Sequence, residues 1–449
     1  MSKPTFAFVS LGCPKNLVDS ERMLGRLAQD GYALTPEAEG ADVVIVNTCG
    51  FIEPARQESL SVIREMLALK NEGKIGAVVV AGCLAERKRD ELLAEVPGVD
   101  HIVGVFGREE ITSVVNRARA RQHEQRSLFR PAPVRALEDT NRLRITPRHY
   151  GYLKISEGCD RLCTFCAIPG MRGKHVTKSI EDVLREAREL ISDGVRELII
   201  VAQDTTYYGM DLYGRVRLAE LLRALDELEG LEWIRVLYAY PIHFTDDLIE
   251  TLASARRIVP YLDLPLQHIN DRVLRRMQRR VNRASTEDLL NRLRSSIPRL
   301  TLRTTFIVGF PGETEAEFEE LVAFAKARSF ERAGVFPYSL EPGTPAARLD
   351  GHHSEELKLE RRNRLMEVQQ EIAFDWSRRQ IGRDCEVIVD ASDPEVPSFF
   401  VARSHADAPE IDAVVRVKAK SLRPGDILRV KITAADGYDL VGRAITPGR

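Results

Sequence analysis

GCDRLCTFC, residues 158–166, sets Cys159, Cys163 and Cys166 at the spacing C-x3-C-x2-C, just after the apolar run Tyr152–Ile155. Thiolates so spaced can take three irons of a cubane and leave the fourth without a protein ligand, whereas ferredoxins, which only carry electrons, supply four. An open iron can bind a molecule that reacts. Zinc is the competing reading, but it expects a fourth Cys or His, and His175 is the only candidate nearby. The stretch decides the fold because it closes the first of six strand–helix repeats. The strand candidates are Tyr152–Ile155, Glu197–Ala202, Trp233–Tyr238, Tyr261–Leu264, Leu302–Gly309 and Arg332–Pro337. Amphipathic helices such as Ile180–Asp193, Leu218–Leu228 and Thr314–Arg328 fall between them. Such alternation predicts an α/β fold with a parallel sheet. Six units are too few for a closed eight-stranded barrel, so a partial TIM-like (β/α)6 barrel is expected.

Toward the N-terminus, Thr5–Leu11, Asp42–Asn47 and Gly76–Ala81 are near-continuous apolar runs, as buried parallel strands require. Each ends at a cysteine: Cys13, Cys49 and Cys83. Open α/β sheets bind ligands at that end of their strands, so these three form a second candidate ligand set in an N-terminal parallel α/β domain, residues 1–116. The plainer alternative is three small buried hydrophobes. Residues 117–147 are Arg-rich with three prolines, which suits a linker. The core then occupies 148–377 and ends in a helix that Ser354 is expected to cap. In 378–449, five short apolar runs split by Gly, Pro and Asp turns predict a small antiparallel β-barrel. Cys385 lies in the first of these runs and reads as a barrel core residue.

The 449 residues carry 65 Lys+Arg against 67 Asp+Glu, a net charge of −2, with 44% hydrophobic residues. That excludes a disordered tail, a disulfide-stapled mini-domain and a polybasic wrapper of nucleic acid. No apolar run reaches about 18 residues and the start lacks a signal-peptide build, so a cytoplasmic protein without membrane contact is expected. Seven cysteines, an odd number, then read as ligands or nucleophiles.

Together these segments resemble the radical S-adenosylmethionine superfamily, and over nearly the whole chain its methylthiotransferases. The resemblance implies two [4Fe-4S] clusters, one on Cys159, Cys163 and Cys166 and an auxiliary one on Cys13, Cys49 and Cys83, and a C-terminal TRAM-like barrel for substrate recognition. It implies S-adenosylmethionine at the first cluster, cleaved to a 5′-deoxyadenosyl radical, with Gln203, Asp204, Gly309, Pro311, Gly312 and Glu313 as cofactor contacts. On residue type alone, Gly309, Pro311 and Gly312 make a tight strand-to-helix turn, and Glu313 opens the next helix. Two branches compete. SLGCPKNLVDSE (10–21), HYGYLKISEGCDRLCTFCAIPGMRGKH (149–175), YAYPIHF (238–244) and YLDLPLQHINDRVLRRMQR (261–279) resemble the branch that modifies an aspartate of ribosomal protein S-twelve. That branch implies methylthiolation of the aspartate β-carbon to 3-methylthioaspartate, two S-adenosylmethionine molecules per turnover, a sulfur carrier and a reductant protein. The alternative is a transfer-RNA adenosine methylthiotransferase.

Residues 378–449 hold 12 Lys+Arg and 11 Asp+Glu, and the turn Pro409-Glu410-Ile411-Asp412 is acidic. A domain tracking RNA should carry a basic excess, so a protein target is expected, and the resemblance implies that it is met on or near the small ribosomal subunit. The run Arg272–Arg283 is basic, and helical spacing would put 272, 276, 279 and 283 on one face. That face is either solvated or in contact with ribosomal RNA.

Overall fold

The computed structural model describes residues 3–445. Its central sheet is six-stranded and parallel, in the order Arg332–Pro337, Thr301–Val308, Ile258–Asp263, Trp233–Val236, Glu197–Val201, Tyr150–Lys154. Alternation along each strand divides two environments. Leu198, Ile200, Ile234, Leu302 and Phe306 face outward and pack on the crossover helices. Tyr150, Tyr152, Ile199, Val201, Trp233 and Tyr261 face the concave side. There they meet Val18 from the N-terminal domain and Ile388 and Ala408 from the C-terminal barrel. The other two domains thus cover the surface that further strands would have covered in a closed barrel.

The concave side also carries charge, and the C-terminal barrel neutralises it. Fully buried Glu197 accepts from Arg235 Nε at 2.8 Å and faces Arg403 of the barrel at 2.6 Å. Arg332 pairs with Asp407 at 2.6 Å, and Arg303 with Asp263 at 2.9 Å and Asp412 at 3.5 Å. Tyr150 and Tyr261 donate their hydroxyls to Glu410 and Asp412, at 3.1 and 2.6 Å. The acidic turn that suggested an external protein partner is therefore tied to the core through Asp412 and Glu410, although Glu410 and Ile411 remain exposed.

Several sequence expectations need correction. The N-terminal sheet has six strands, not three, in the order Ala33–Leu34, Thr5–Ser10, Val43–Thr48, Ala77–Gly82, His101–Val103, Ser127–Leu128. The added strands span two or three residues, too few for an apolar pattern to register. One of them lies in the stretch read as a linker. That stretch is fastened on both sides: Arg142 donates to Tyr152 O at 2.9 Å and pairs with Glu21 at 3.3 Å. The C-terminal barrel is closed, Asp384–Ser392, Phe399–Ser404, Val415–Lys418, Asp439–Ala444, Ile427–Asp436, but is not wholly antiparallel. Its last hairpin inserts so that Asp439–Ala444 runs parallel to Val415–Lys418. Cys385 is half-buried at the edge of this barrel's core.

Arg272–Arg283 does not form one helical face. Asp271–Arg276 is a short helix, Gln278 turns the chain with φ +52°, and a new helix, Arg283–Ser296, starts behind the Asn282 cap. Ser354 caps Glu355–Gln380 as expected, its hydroxyl accepting from Leu357 N–H. Among the described residues no helix is long and apolar enough to cross a membrane.

Candidate active site

Each N-terminal cysteine stands just past the C-terminal end of a strand, and the strands before Cys49 and Cys83 are buried throughout. Cys13 caps the helix Pro14–Gln29, Cys49 succeeds Val43–Thr48, and Cys83 begins the helix Cys83–Lys88. Close backbone approach brings them together. A Cβ on Gly12 would lie 2.9 Å from Cys49 Cβ, and one on Gly82, at φ +91°, 2.2 Å from Asn47 Oδ1. Only glycine fits such contacts. Asn16 ties the first turn of the helix to the strand ends, donating to Leu11 O at 2.6 Å and Thr48 O at 3.3 Å.

The second set hangs on one loop. Gly158, φ +72°, enters it, and a Cβ there would strike Lys174 O at 2.0 Å. Cys159 N–H donates to Gly173 O at 3.1 Å, Arg161 N–H points to Cys159 Sγ at 3.4 Å, and Cys166 N–H returns to Cys163 O at 3.1 Å. Thr164 anchors the loop to the next segment, its hydroxyl donating to Arg276 O at 2.8 Å.

All six of these cysteines line one cavity of about 400 Å³ between the N-terminal domain and the C-terminal ends of the core strands. This is the end where parallel α/β sheets carry function. Cys385 is remote from it, in a separate hollow beside the barrel. All seven thiols are free. Among the described residues no three His, Cys, Asp or Glu close on a single metal ion. A cubane places each thiolate on its own iron, so its ligands stand farther apart than the ligands of one ion. A set of three thiols with no fourth Cys or His suits a cluster better than zinc, since His175 bonds to Thr177 Oγ1 at 3.1 Å.

The two thiol sets differ electrostatically. Burial pushes Cys159 and Cys166 up to about 12. Burial also raises Cys49, and takes Cys83 to about 12. Cys13 goes the other way: burial raises it, but Lys15, Arg172 and the Asn16 and Lys15 amides outweigh burial and bring it below the usual thiol value. Metal ligation takes thiolates, so a cluster bound at either set would release protons on loading.

Arg172 joins the two sets. Buried at 2% exposure, it donates to Asp19 at 2.7 Å, Glu157 at 3.2 Å, Asn16 Oδ1 at 3.2 Å and Cys83 Sγ at 3.3 Å. Lys154 adds bonds to Asp19 at 2.6 Å and Glu157 at 2.9 Å, and Arg108 pairs with Asp19 and Asp139. Although burial opposes it, Lys154 and Arg172 hold the Glu157 carboxyl well below the usual range. Breaking one partner from such a buried network costs about 3–5 kcal/mol.

The expected cofactor contacts divide. Gln203 lines the cavity and donates to Glu157 at 3.0 Å, and its buried Oε1 has no partner among the described residues. Asp204 instead grips Arg161 at 2.7 Å, which does line the cavity. Gly309, Pro311, Gly312 and Glu313 do not line it. Buried Glu313 closes its own turn, accepting from Gly309 N–H and from Phe310 N–H at 3.1 Å, and Thr314 caps the next helix. The same strand reaches the cavity earlier, at Thr305.

Sequence reading missed Lys15, Tyr238, Tyr240, Gln267 and Arg279 in this wall. Tyr238 and Gln267 carry φ of +60° and +73°, uncommon for residues with side chains. Their surroundings fix them: Tyr238 N–H donates to Asp263 at 3.0 Å, and Gln267 N–H to Thr305 O at 2.8 Å. Strain held at strand ends in this way is common at functional sites. Arg279, expected on a basic outer face, is buried over the Tyr240 ring at 4.0 Å and donates to Pro265 O at 2.6 Å. The signal for Lys15 and Arg172 was their place inside the motifs that hold Cys13 and the second triplet.

All three parts of the chain are similar to known proteins. Residues 5–104 match the uncharacterized protein family UPF0004, 153–325 the radical SAM superfamily, and 381–445 the TRAM domain. Among solved structures, radical S-adenosylmethionine methyltransferase TsrM from Kitasatospora setae has a similar fold. Its TM-score is 0.56 at 15% identity, over 77% of this chain and 74% of that one. The ribosomal protein uS12 methylthiotransferase RimO of Symbiobacterium thermophilum is 46% identical over 98% of this chain and 91% of its own. Its namesake from Desulfitobacterium hafniense is 45% identical over 98% of both. At that similarity over almost its full length, the chain belongs to the RimO family of radical S-adenosylmethionine enzymes.

Proposed function

We propose that this protein methylthiolates the β-carbon of one aspartate in ribosomal protein uS12, giving 3-methylthioaspartate, and acts in the cytoplasm where its substrate is assembled. The observation that carries the reading is the single cavity shared by two sets of three cysteines, in a chain related end to end to uS12 methylthiotransferases. Cys159, Cys163 and Cys166 would hold one [4Fe-4S] cluster, and Cys13, Cys49 and Cys83 an auxiliary one. When bound, the first with S-adenosylmethionine supplies a hydrogen-abstracting 5′-deoxyadenosyl radical, and the second supplies the sulfur that a further S-adenosylmethionine methylates.

The chain's own residues do the rest. Gln203 Oε1 and Gln267 Oε1 are buried acceptors without partners at the cavity wall, suited to the polar groups of S-adenosylmethionine. Arg161, clamped by Asp204 between the rings of Tyr207 and Tyr240, holds the loop between Cys159 and Cys163. Phe165, Ile168 and Met171 keep the chamber apolar, so a reactive carbon radical meets little water. The Arg172 network fixes one triplet relative to the other, which a transfer from one to the other requires.

A reductant protein and a sulfur carrier complete the reaction. Recognition of uS12 falls to the exposed face of the C-terminal barrel. Contact with ribosomal RNA through Arg272–Arg283 narrows to Arg275 and Arg280, which line the hollow at Asp271 and Asn282 and are exposed, whereas the exposed Arg283 is already paired with Glu287 and Glu320.

The test is incubation of the reconstituted enzyme with S-adenosylmethionine, a reductant, sulfide and uS12. The protein substrate should gain the mass of CH₂S on one aspartate, and deuterium at that β-carbon should appear in 5′-deoxyadenosine. The added mass on transfer-RNA adenosine, with uS12 unchanged, would overturn the reading.

A further inference from the structure

Four basic side chains reach the cavity, and three already have partners. Arg161 is held by Asp204, and Arg172 by Asp19 and Glu157. Arg279 is held by Pro265 O and the face of Tyr240. Lys15 is different. It is 7% exposed and its ammonium sits 3.1 Å from the centre of the Tyr238 ring. Among the described residues no carboxylate stands within ion-pair distance of it; the anionic group that acts on it most is the thiol of Cys13, two residues back and itself a candidate iron ligand, with Asp263 and Glu157 acting less.

The position of Lys15 is well fixed. It lies in the first turn of the helix that Cys13 caps, between Pro14 and Asn16, and both bonds of the Asn16 amide nitrogen pin that turn to the strand ends. Tyr238, on the opposite wall, belongs to the radical core and is fixed by Asp263. The ammonium is thus set where the N-terminal domain meets the core, in the chamber the two cysteine sets share. A ring face compensates a buried cation only partly, and an ammonium without a carboxylate is a costly thing to enclose. An incoming carboxylate would complete it.

Resting on the reading of aspartate as substrate, we infer that Lys15 receives the γ-carboxylate of the aspartate that is modified. The γ-carboxylate is bonded directly to the β-carbon, so a charge-assisted hydrogen bond from Lys15 positions the reacting atom within the chamber. It also selects aspartate over its amide. Asparagine has the same shape but leaves the ammonium unpaired.

The experiment measures binding of uS12, and of uS12 with the target aspartate changed to asparagine, to reconstituted enzyme by fluorescence anisotropy. The unaltered enzyme should prefer the aspartate form by about tenfold or more. Lys15→Gln should bind both forms alike, and Lys15→Arg should keep most of the preference. Iron content equal to that of the unaltered protein shows that each variant is folded and loaded. Retention of the full preference by Lys15→Gln would overturn the assignment. So would loss of S-adenosylmethionine binding in that variant with the preference intact, which would place Lys15 on the cofactor. Failure of the unaltered enzyme to modify uS12 would overturn the substrate reading itself, an outcome distinct from either.

Discussion

The two ends of the central sheet are built from the same strands but resolve their polar groups in opposite ways. At the N-terminal ends, Glu197, Arg235, Arg303 and Arg332 each find an opposite charge, largely from the C-terminal barrel. At the C-terminal ends, among the described residues, Gln203 Oε1, Gln267 Oε1 and Arg279 Nε have no hydrogen-bond partner and Lys15 has no carboxylate beside it. The first arrangement satisfies itself and resists unfolding. The second leaves groups poised for molecules that are not part of the chain. By this contrast the C-terminal barrel is structurally continuous with the core and not a detachable recognition module.

Disrupting the cavity end should give the largest effect. Cys163→Ala is expected to abolish reductive cleavage of S-adenosylmethionine, read as 5′-deoxyadenosine, with little change in thermal stability. Cys49→Ala should instead halve the iron, from about eight per chain, and leave that cleavage measurable. Retention of both clusters in Cys49→Ala would show that the auxiliary ligands lie elsewhere.

Disrupting the plugged end should shift stability and spare the chemistry. Arg403→Ala leaves Glu197 facing one cation fewer in a fully buried site, at a cost of about 3–5 kcal/mol. Denaturant melts would show it, while turnover per folded molecule stays near normal. Removing residues 378–449 altogether should unfold the core rather than merely weaken substrate capture. A truncated protein that melts at the unaltered temperature would refute the plug.

The same contrast has a pH signature. Burial raises the Glu197 and Asp390 carboxyls, but Arg403 and Arg235 around Glu197, and His149 and Arg403 around Asp390, more than offset it, leaving both below the usual range. Depressed carboxyls add stability that is complete above the unfolded value near ~4 and is lost as pH falls through the folded values. Glu197→Gln should therefore show a shallower loss of stability between neutral pH and pH ~3. An unchanged acid limb would count against these pairs. The smallest effect is expected at Cys385, half-buried at the barrel's edge: Cys385→Ala should keep iron and turnover and cost about 1 kcal/mol.

Much of the architecture was legible because long elements leave periodic traces. All six core strands and the helices Ile180–Ser192 and Glu315–Arg328 stand within a few residues of where apolar alternation and capping placed them. The two cysteine sets were legible because one is contiguous and the other repeats the same strand-end position three times. Strands of two or three residues, such as Ser127–Leu128, left no trace, since their existence depends on a neighbour's open edge and not on their own pattern.

The order of elements, the three-part organisation and the six thiols are therefore written in the chain itself. Which charges are used internally is settled only by folding. Sequence shows Glu410, Asp412 and Arg279 as polar residues in polar stretches, and nothing local separates them from solvated ones. Folding docks the first two against Tyr150 and Tyr261 and the third against Tyr240, while leaving Lys15 without a carboxylate. Pairing of charge depends on distances between segments far apart in the chain, and those distances exist only once the three domains have closed on one another.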